Sequence, residues 1–419
     1  MKYGSLKRTA GALLLAAVFA VTGVLAFHVP AYAEENALAQ NNAGAFMVTG
    51  DSGWNYSNNT LTFTESGTYT VAGGGAKTSD HIVVSGNNLD ITITLKDVNI
   101  EAGAAFVGKG GGQTGVNLTV NLQGTNVLKS TGYGNNNAGL TWNNADAASL
   151  LTIKSDTGTG SLTAYGAWYG AGIGGSMGSN IGCYSSYITI SSGIIDAHSG
   201  NHAAGIGGGY QAQGSHITIT GGTVTANGWG IGGGADRNGD NLVISGGSVK
   251  AEHIRTNNGP NNSAGKRVRC VTVPTGASVN TVTVDGTNIY TRNGAHPDGD
   301  GSFYLYLTYE DHAITWSEGD ISYIASYNSS TNEVTKKIIP SAAPQEANVT
   351  ARTKNSVAVT TSADTNVYGD VQYQIVEAGG APADADWQTS NTFTGLSADA
   401  PMMCMCATRE MMNMRRRLP

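Results

Sequence analysis

Between Leu150 and Ala251, one pattern of apolar and polar positions occurs four times. Each unit starts with a short segment that mostly alternates in polarity, passes through a glycine turn, and ends with two apolar residues separated by one polar residue. The first segments are residues 151–153, 188–190, 217–219 and 242–244, and the apolar pairs are Leu162/Ala164, Ile195/Ala197, Val224/Ala226 and Val249/Ala251. A two-residue period predicts β-strands with one buried face and one solvated face.

A third element precedes each of the last three units. It is the sequence Gly-Ile-Gly-Gly at 172–175, 205–208 and 230–233, and the units recur at intervals of 33, 29 and 25 residues. Three short strands per unit require a coiled sheet in which each turn buries its apolar face only against the adjacent turns. We therefore predict an all-β fold, a right-handed parallel β-helix over residues 46–256.

The glycines and the upstream strands extend this prediction. The pairs Gly221/Gly222 and Gly246/Gly247 occupy equivalent places, where a corner requires positive φ or close backbone approach. Alternating segments between Phe46 and residue 128 predict earlier, less regular turns, because the terminal turns of a solenoid must cap an open end. In total we expect seven or eight turns up to Ile254.

The N-terminal residues have the pattern of a secretory signal peptide. Three basic residues precede an apolar run over 10–27, and Ala31-Tyr32-Ala33 follows as a small-residue cleavage site. We predict cleavage after residue 33 and a mobile leader over 34–45; an uncleaved membrane anchor is the alternative. The expected location is extracellular or at the cell surface, with no membrane insertion after cleavage.

Two further regions follow a polar linker at 257–266. Residues 267–338 predict a small β module or cap. Residues 347–400 resemble a fibronectin type III-like module of bacterial surface proteins, an Ig-like β-sandwich. The matching segments are Ser356-Val-Ala-Val-Thr, Val371-Gln-Tyr-Gln-Ile, Trp387-Gln-Thr-Ser and Phe393-Thr-Gly-Leu-Ser. That family continues with a Tyr-x-Val/Phe-x-x-Arg strand, whereas residues 401–419 are rich in Met and Arg. We predict a frameshift near Ala400 that truncates the sandwich; a genuine Met/Arg tail is the alternative.

Composition narrows the range of partners. Glycine accounts for 59 of 419 residues, charged residues for only 13%, and removal of the three basic signal residues takes the net charge from −7 to −10. An acidic chain with few lysines argues against nucleic acid or anionic lipid as partner and is compatible with calcium and neutral sugars. Cys183 and Cys270 could pair in an oxidising compartment, and two unpaired thiols fit equally well.

One polar loop is a candidate metal site. Asp236, Asn238 and Asp240 place oxygen-bearing side chains at alternate positions around a glycine, an arrangement that suits calcium. A solvated loop between strands would have the same sequence. The Gly-Ile-Gly-Gly segments lack the Lys-Ser/Thr of phosphate loops and the Asp of calcium-binding nonapeptides, so we interpret them as corners with an inward Ile.

Catalytic residues are sparse. A β-helix polysaccharide lyase or hydrolase needs clustered carboxylates with Arg or Lys on one face of successive turns. Asp196 and Lys250 occupy the same strand position two units apart, and His198, His202 and His216 lie near Asp196 in sequence. A His/Asp site there is the weaker hypothesis, because histidines on a repeat surface are more often bystanders.

Aromatic residues are the preferred candidates for ligand binding. They are expected at corners and outward positions of the regular turns, where flat rings can stack on sugars. The candidates are Tyr165, Trp168, Tyr169, Tyr184, Tyr187, Tyr210 and Trp229. The alternative is a packing role at the corners, above all for Trp168 and Trp229.

Residues 59–71, 91–100 and the GIGGG and ITITGGTVTA repeats carry a resemblance over about residues 50–254. They resemble bacterial surface β-helix proteins named for a carbohydrate-binding domain. The resemblance implies a β-helix that binds calcium and acidic polysaccharide without cleaving it. The leading hypothesis is a secreted, non-catalytic protein that binds polysaccharide or host glycans, or acts as an adhesin. A β-helix lyase or glycoside hydrolase, and a structural surface stalk, are the alternatives.

Overall fold

The computed structural model describes residues 41–132, 136–145, 147–177, 184–319 and 321–339, and the segments 348–352, 356–360, 371–377, 388–394, 396 and 402–408. The predicted signal peptide and residues 34–40 lie outside this range. All named elements of the described residues are β-strands, which confirms the all-β prediction. The described part of the chain contains no helix with the length and apolar character needed to cross a membrane.

Three parallel sheets form the main body. Sheet A contains β5 (Gly67–Ala72), β8 (Leu89–Lys96), β11 (Val116–Gln123), β14 (Leu150–Lys154), β17 (Ser185–Ile190), β20 (Gly214–Ile219) and β23 (Val243–Ile244). Sheet B contains β4 (Thr60–Phe63), β7 (His81–Val84), β10 (Phe106–Lys109), β13 (Leu140–Trp142), β16 (Ile173–Gly174), β19 (Ile206–Gly207), β22 (Ile231–Gly232) and β25 (Ile254–Arg255). Sheet C contains β6 (Lys77–Thr78), β9 (Asn99–Ala102), β12 (Thr125–Ser130), β15 (Ser161–Tyr165), β18 (Ile194–His198), β21 (Thr223–Ala226) and β24 (Ser248–Ala251).

The chain visits the sheets in the order B, A, C and then repeats, so each turn stacks on the one before. In sheet A, Leu151 pairs with Ile188 and Ile188 with Ile217, all in parallel register. These side chains are buried in one hydrophobic cluster that extends through all three sheets. The register confirms the predicted parallel coil, and the seven strands of sheet C agree with the predicted number of turns. Its right-handedness stays a prediction.

Glycine columns allow the turns to approach closely. Gly174, Gly207 and Gly232 stack in register with φ of 133°, 131° and 119°. A Cβ atom on Gly207 would lie 2.0 Å from the carbonyl oxygen of Gly232. The neighbouring Ile side chains of the Gly-Ile-Gly-Gly segments are fully buried, as predicted. At the other predicted corners, Gly222 and Gly247 adopt positive φ of 87° and 75°.

The N-terminal end differs from the coil. Strands β1 (Asn41–Ala43), β2 (Phe46–Gly50) and β3 (Trp54–Ser57) pair antiparallel, and parallel stacking begins at β4. The mobile leader predicted to extend to residue 45 is wrong for residues 41–45. Ala43 is fully buried in the main core, and the backbone N–H of Ala45 donates to Asp80 Oδ2 at 2.7 Å. The open end of the coil provides the apolar contact that orders this segment.

A second module follows the last turn and has its own core. It comprises β26 (Arg269–Val273), β27 (Thr281–Val284), β28 (Asn288–Thr291), β29 (Phe303–Leu307), β30 (His312–Glu318), β31 (Ile321–Asn328) and β32 (Glu333–Ile339). All its strand pairs are antiparallel among the described residues. Val268 and Tyr306 belong to the core of the parallel coil, so the module packs against its C-terminal end.

Further strands lie in the C-terminal region. They are β33 (Asn348–Arg352), β34 (Ser356–Thr360), β35 (Val371–Glu377), β36 (Thr392–Thr394) and β37 (Met402–Thr408). Strand β37 pairs antiparallel with β35, so residues of the Met-rich segment occupy a strand position. The fibronectin type III-like module and its truncation stay predictions.

Candidate functional site

Six aromatic rings contact one another over four successive turns; five lie in loops from sheet C to sheet B, and Tyr210 lies in a loop from sheet B to sheet A. We call this set the corner ladder. Its members are Trp168, Tyr169, His202, Tyr210, Trp229 and His253. The ladder unites four of the predicted glycan-stacking residues with two histidines that the sequence analysis did not select for ligand binding.

The rings contact one another in sequence along the coil axis. Tyr169 and Tyr210 stack with centroids 4.8 Å apart, and His202 lies 5.6 Å from Tyr210 and 6.4 Å from Trp229. Trp168 lies edge-on to Tyr169 at 5.8 Å and is 39% exposed. The ladder is therefore a continuous aromatic surface, partly open to solvent.

Backbone hydrogen bonds between turns fix these loops. The N–H of Tyr210 donates to the carbonyl of Tyr169 at 3.0 Å, and the N–H of Trp229 donates to that of Ala203 at 3.2 Å. Tyr169 and His202 both lie four residues before the inward Ile of a sheet B strand. This shared offset is the sequence signal that would have identified His202.

The other three predicted aromatic residues lie elsewhere. Tyr165 ends a sheet C strand, is 36% exposed and stacks on His198 at 4.6 Å. Tyr184 and Tyr187 lie where the chain enters sheet A and line a separate cavity, and Tyr187 stacks on His216 at 4.4 Å. The predicted set therefore divides into three places.

Of the three histidines considered for catalysis, His198 contacts Asp196. Its Nε2 lies 2.9 Å from Asp196 Oδ2, and its Nδ1 lies 3.1 Å from Asn227 Nδ2. Asn227 also donates to Asp196 Oδ1 at 3.3 Å. An amide nitrogen can only donate, so His198 Nδ1 accepts from Asn227, whereas Nε2 is buried near Asp196 without a hydrogen bond of good geometry among the described residues. These contacts hold the His198 ring against Tyr165.

The outward position of Asp196 continues in register through Thr225 to Lys250, as the repeat predicted. A loop over residues 292–302 covers Thr225 and Lys250. His296 lies with Nδ1 2.9 Å from Thr225 Oγ1 and Nε2 2.8 Å from Ser248 Oγ. This polar stretch of sheet C is therefore an internal contact of the protein.

The same loop holds Lys250. Its Nζ donates to Asp298 and, at 2.9 Å, to Asp300. Burial opposes the charge of Lys250, but these hydrogen bonds prevail and raise its pKa above the usual value. Burial lowers the pKa of His296 to about 4, and the positive charges of Arg292 and Lys250 act in the same direction.

The predicted calcium ligands lie in the loop after β22. Asn238 Nδ2 donates to Asn257 Oδ1 at 3.2 Å, and Asn257 Nδ2 donates to Asp240 Oδ1 at 2.9 Å. Asp236 is exposed with φ of 63°. The described residues contain no group of three or more His, Cys, Asp or Glu side chains arranged to hold a metal. A calcium cage needs six to eight oxygens, several of them from carboxylates. Calcium binding here stays a prediction.

The two body cysteines differ in what the structure describes. Cys270 is exposed on β26, and Cys183 lies outside the described residues. Their pairing stays a prediction.

Comparison with known proteins identifies the repeat. A family described as Beta helix repeat matches residues 188–210 and 217–235. These residues include β18, β19, β21 and β22, with His202, Tyr210 and Trp229 of the corner ladder. No curated protein and no solved structure shows significant similarity to the chain. The match and the register of the three parallel sheets agree: the protein contains a β-helix built from repeats.

Proposed function

We propose that this β-helix protein binds glycans at the corner ladder without cleaving them. The observation that carries the proposal is the continuous series of rings from Trp168 to His253 along successive turns. Sugar rings have apolar C–H faces that stack on aromatic rings, and an elongated glycan can contact several rings at once. A rigid coil keeps the rings in place before the ligand binds, which reduces the entropy lost on binding.

The non-catalytic part of the proposal is supported by the use of the polar groups near the ladder. Asp196 and His198 contact each other and Asn227, and Lys250 is held by two aspartates of the covering loop. A lyase or hydrolase would need such groups to face the substrate. Presentation at the cell surface, as glycan receptor or adhesin, belongs to the same proposal.

The exposed indole of Trp168 provides the direct test. We expect Trp168→Ala to weaken binding about tenfold, because loss of one stacked aromatic ring costs on the order of 1–1.5 kcal/mol. Binding would be measured on a glycan array of host glycans and by affinity electrophoresis in gels that contain pectin, with and without calcium. Tyr309→Ala is the matched control, since Tyr309 is 54% exposed but lies in the second module.

Three results would contradict the proposal. Equal weakening by Tyr309→Ala would place the effect outside the ladder. Release of new reducing ends or of unsaturated uronates from pectin would indicate a lyase or hydrolase. If the wild-type protein were retained on no glycan of the array or gels, a structural surface stalk would be the favoured function.

A further inference from the structure

A cavity of about 370 Å³ lies apart from the corner ladder, where the chain passes from sheet B into sheet A. Its volume is within the range of small-molecule sites. The lining side chains that can contact a ligand are Tyr184, Tyr187, Gln213, His216, Asp240 and Asn241.

Three of these residues adopt a left-handed backbone conformation. Tyr187, His216 and Asn241 have φ of 61°, 53° and 55°, and they occupy equivalent places on three successive turns. Ser186 pairs with Ser215 and Ile188 with Ile217. Tyr187 and His216 lie between these pairs but are displaced from the parallel strand pairing. A left-handed conformation in a bulky residue costs on the order of 1–3 kcal/mol and is concentrated at functional sites. Here it brings three side chains together at the cavity.

Hydrogen bonds define what the cavity can offer. Asn241 Nδ2 lies 2.9 Å from His216 Nε2, and an amide nitrogen can only donate. The His216 ring therefore accepts at Nε2 and, when neutral, carries its hydrogen on Nδ1. That Nδ1 atom is buried without a hydrogen-bond partner among the described residues. Asp240 Oδ1 accepts from Asn257, which leaves Oδ2 as an acceptor.

The combination selects a class of ligand. Among the described residues, the cavity is lined by a carboxylate, two tyrosines and several side-chain amides, and by no Lys or Arg. Sugar hydroxyls both donate and accept hydrogen bonds, so they match this mixed set. An acidic sugar would bring its carboxylate towards Asp240 without a cation to compensate. The stacked Tyr187 and His216 rings add an apolar face.

We propose that this cavity is a second carbohydrate site that binds one neutral sugar unit through His216, Asp240 and the Tyr187 ring. It rests on the proposed glycan-binding function, but its residues are distinct from the corner ladder. Asp240 acts here by direct hydrogen bonding, with no metal between carboxylate and sugar.

The test is isothermal titration of the full chain, in EDTA, with xylohexaose, cellohexaose, mannohexaose and hexagalacturonate. We expect a neutral oligosaccharide to bind best. Asp240→Asn should weaken that binding about tenfold and improve binding of hexagalacturonate relative to the neutral ligands. His216→Asn should also weaken neutral binding about tenfold, because asparagine tolerates positive φ but removes the ring that stacks on Tyr187. Glu310→Gln, at an exposed carboxylate of the second module, is the control and should change nothing.

Two patterns of binding in EDTA would overturn the site while preserving the proposed function. The first is neutral binding that Trp168→Ala weakens but Asp240→Asn and His216→Asn do not. The second is tighter binding of hexagalacturonate than of every neutral ligand by the wild-type protein. Binding that appears only when calcium replaces EDTA would also overturn it, because the carboxylate would then act through a metal. Absence of binding to all four oligosaccharides would overturn this site, and the array and gel experiments decide separately whether the ladder binds glycans.

Discussion

Gly207→Ala is expected to destabilise the β-helix by roughly 3–5 kcal/mol, the sum of backbone strain and overpacking. Gly207 has φ of 131°, a region that side-chain-bearing residues rarely adopt, and an added Cβ atom would lie 2.0 Å from the carbonyl oxygen of Gly232. The clashing atom is backbone in the next turn, so relief requires that two turns separate. Separation would also break the hydrogen bond from Gly208 N to Gly232 O. Urea unfolding of the two proteins would measure the difference.

Gly74→Ala is the matched control for this substitution. Gly74 also has positive φ, 63°, but an added Cβ would meet nothing within 4 Å. We expect only the cost of a left-handed alanine, about 1–2 kcal/mol. Equal destabilisation by the two variants would show that the close stacking of turns at Gly207 is wrong.

The repeat explains why the regular turns could be predicted from the sequence. Alternation at residues 188–190 and 217–219 selects strands, and the glycine corners specify where each strand must end. The ordered structure of residues 41–45 could not be predicted from the sequence. Burial of Ala43 depends on the open end of the coil, which is formed by strands distant in sequence. Polar residues 292–302 likewise have the composition of a turn, yet they pack along sheet C.

The repeat also made part of the candidate sites predictable from the sequence. A corner position can be counted from the repeat, and this is how Trp168, Tyr169, Tyr210 and Trp229 were selected. The cavity at His216 depends on positive φ in a tyrosine and a histidine, which residue type does not predict. Its grouping of Tyr187, His216 and Asn241 became evident only from the displaced position that they share in successive turns.

The loop over residues 292–302 attaches the second module to the outer face of sheet C. Asn293 Oδ1 accepts from the N–H of Gly193 at 2.8 Å, and Thr223 Oγ1 donates to the carbonyl of Gly294 at 3.0 Å. His296 is buried at the centre of these contacts and is hydrogen-bonded to hydroxyl groups of two successive strands. A charged imidazole at this place would lose its hydration and face Arg292 and Lys250, although Asp298 and Asp300 partly compensate.

We therefore expect the free energy of unfolding to fall as the pH falls from about 6.5 towards 4. The folded protein holds His296 neutral down to its lowered pKa of about 4, whereas the unfolded chain takes up a proton near the ordinary value of 6.5. In this window the unfolded state binds more protons, so acid favours it, by about 2–3 kcal/mol at pH 4.5. Urea unfolding at pH 7.5 and 4.5 would measure the loss.

His296→Gln should remove this part of the pH dependence, because an amide can bond to both hydroxyls but does not titrate. His253→Gln, at an exposed histidine, is the control and should retain the pH dependence. If the wild-type protein and His296→Gln lost the same stability between the two pH values, the buried neutral histidine would not be what makes the attached loop sensitive to acid.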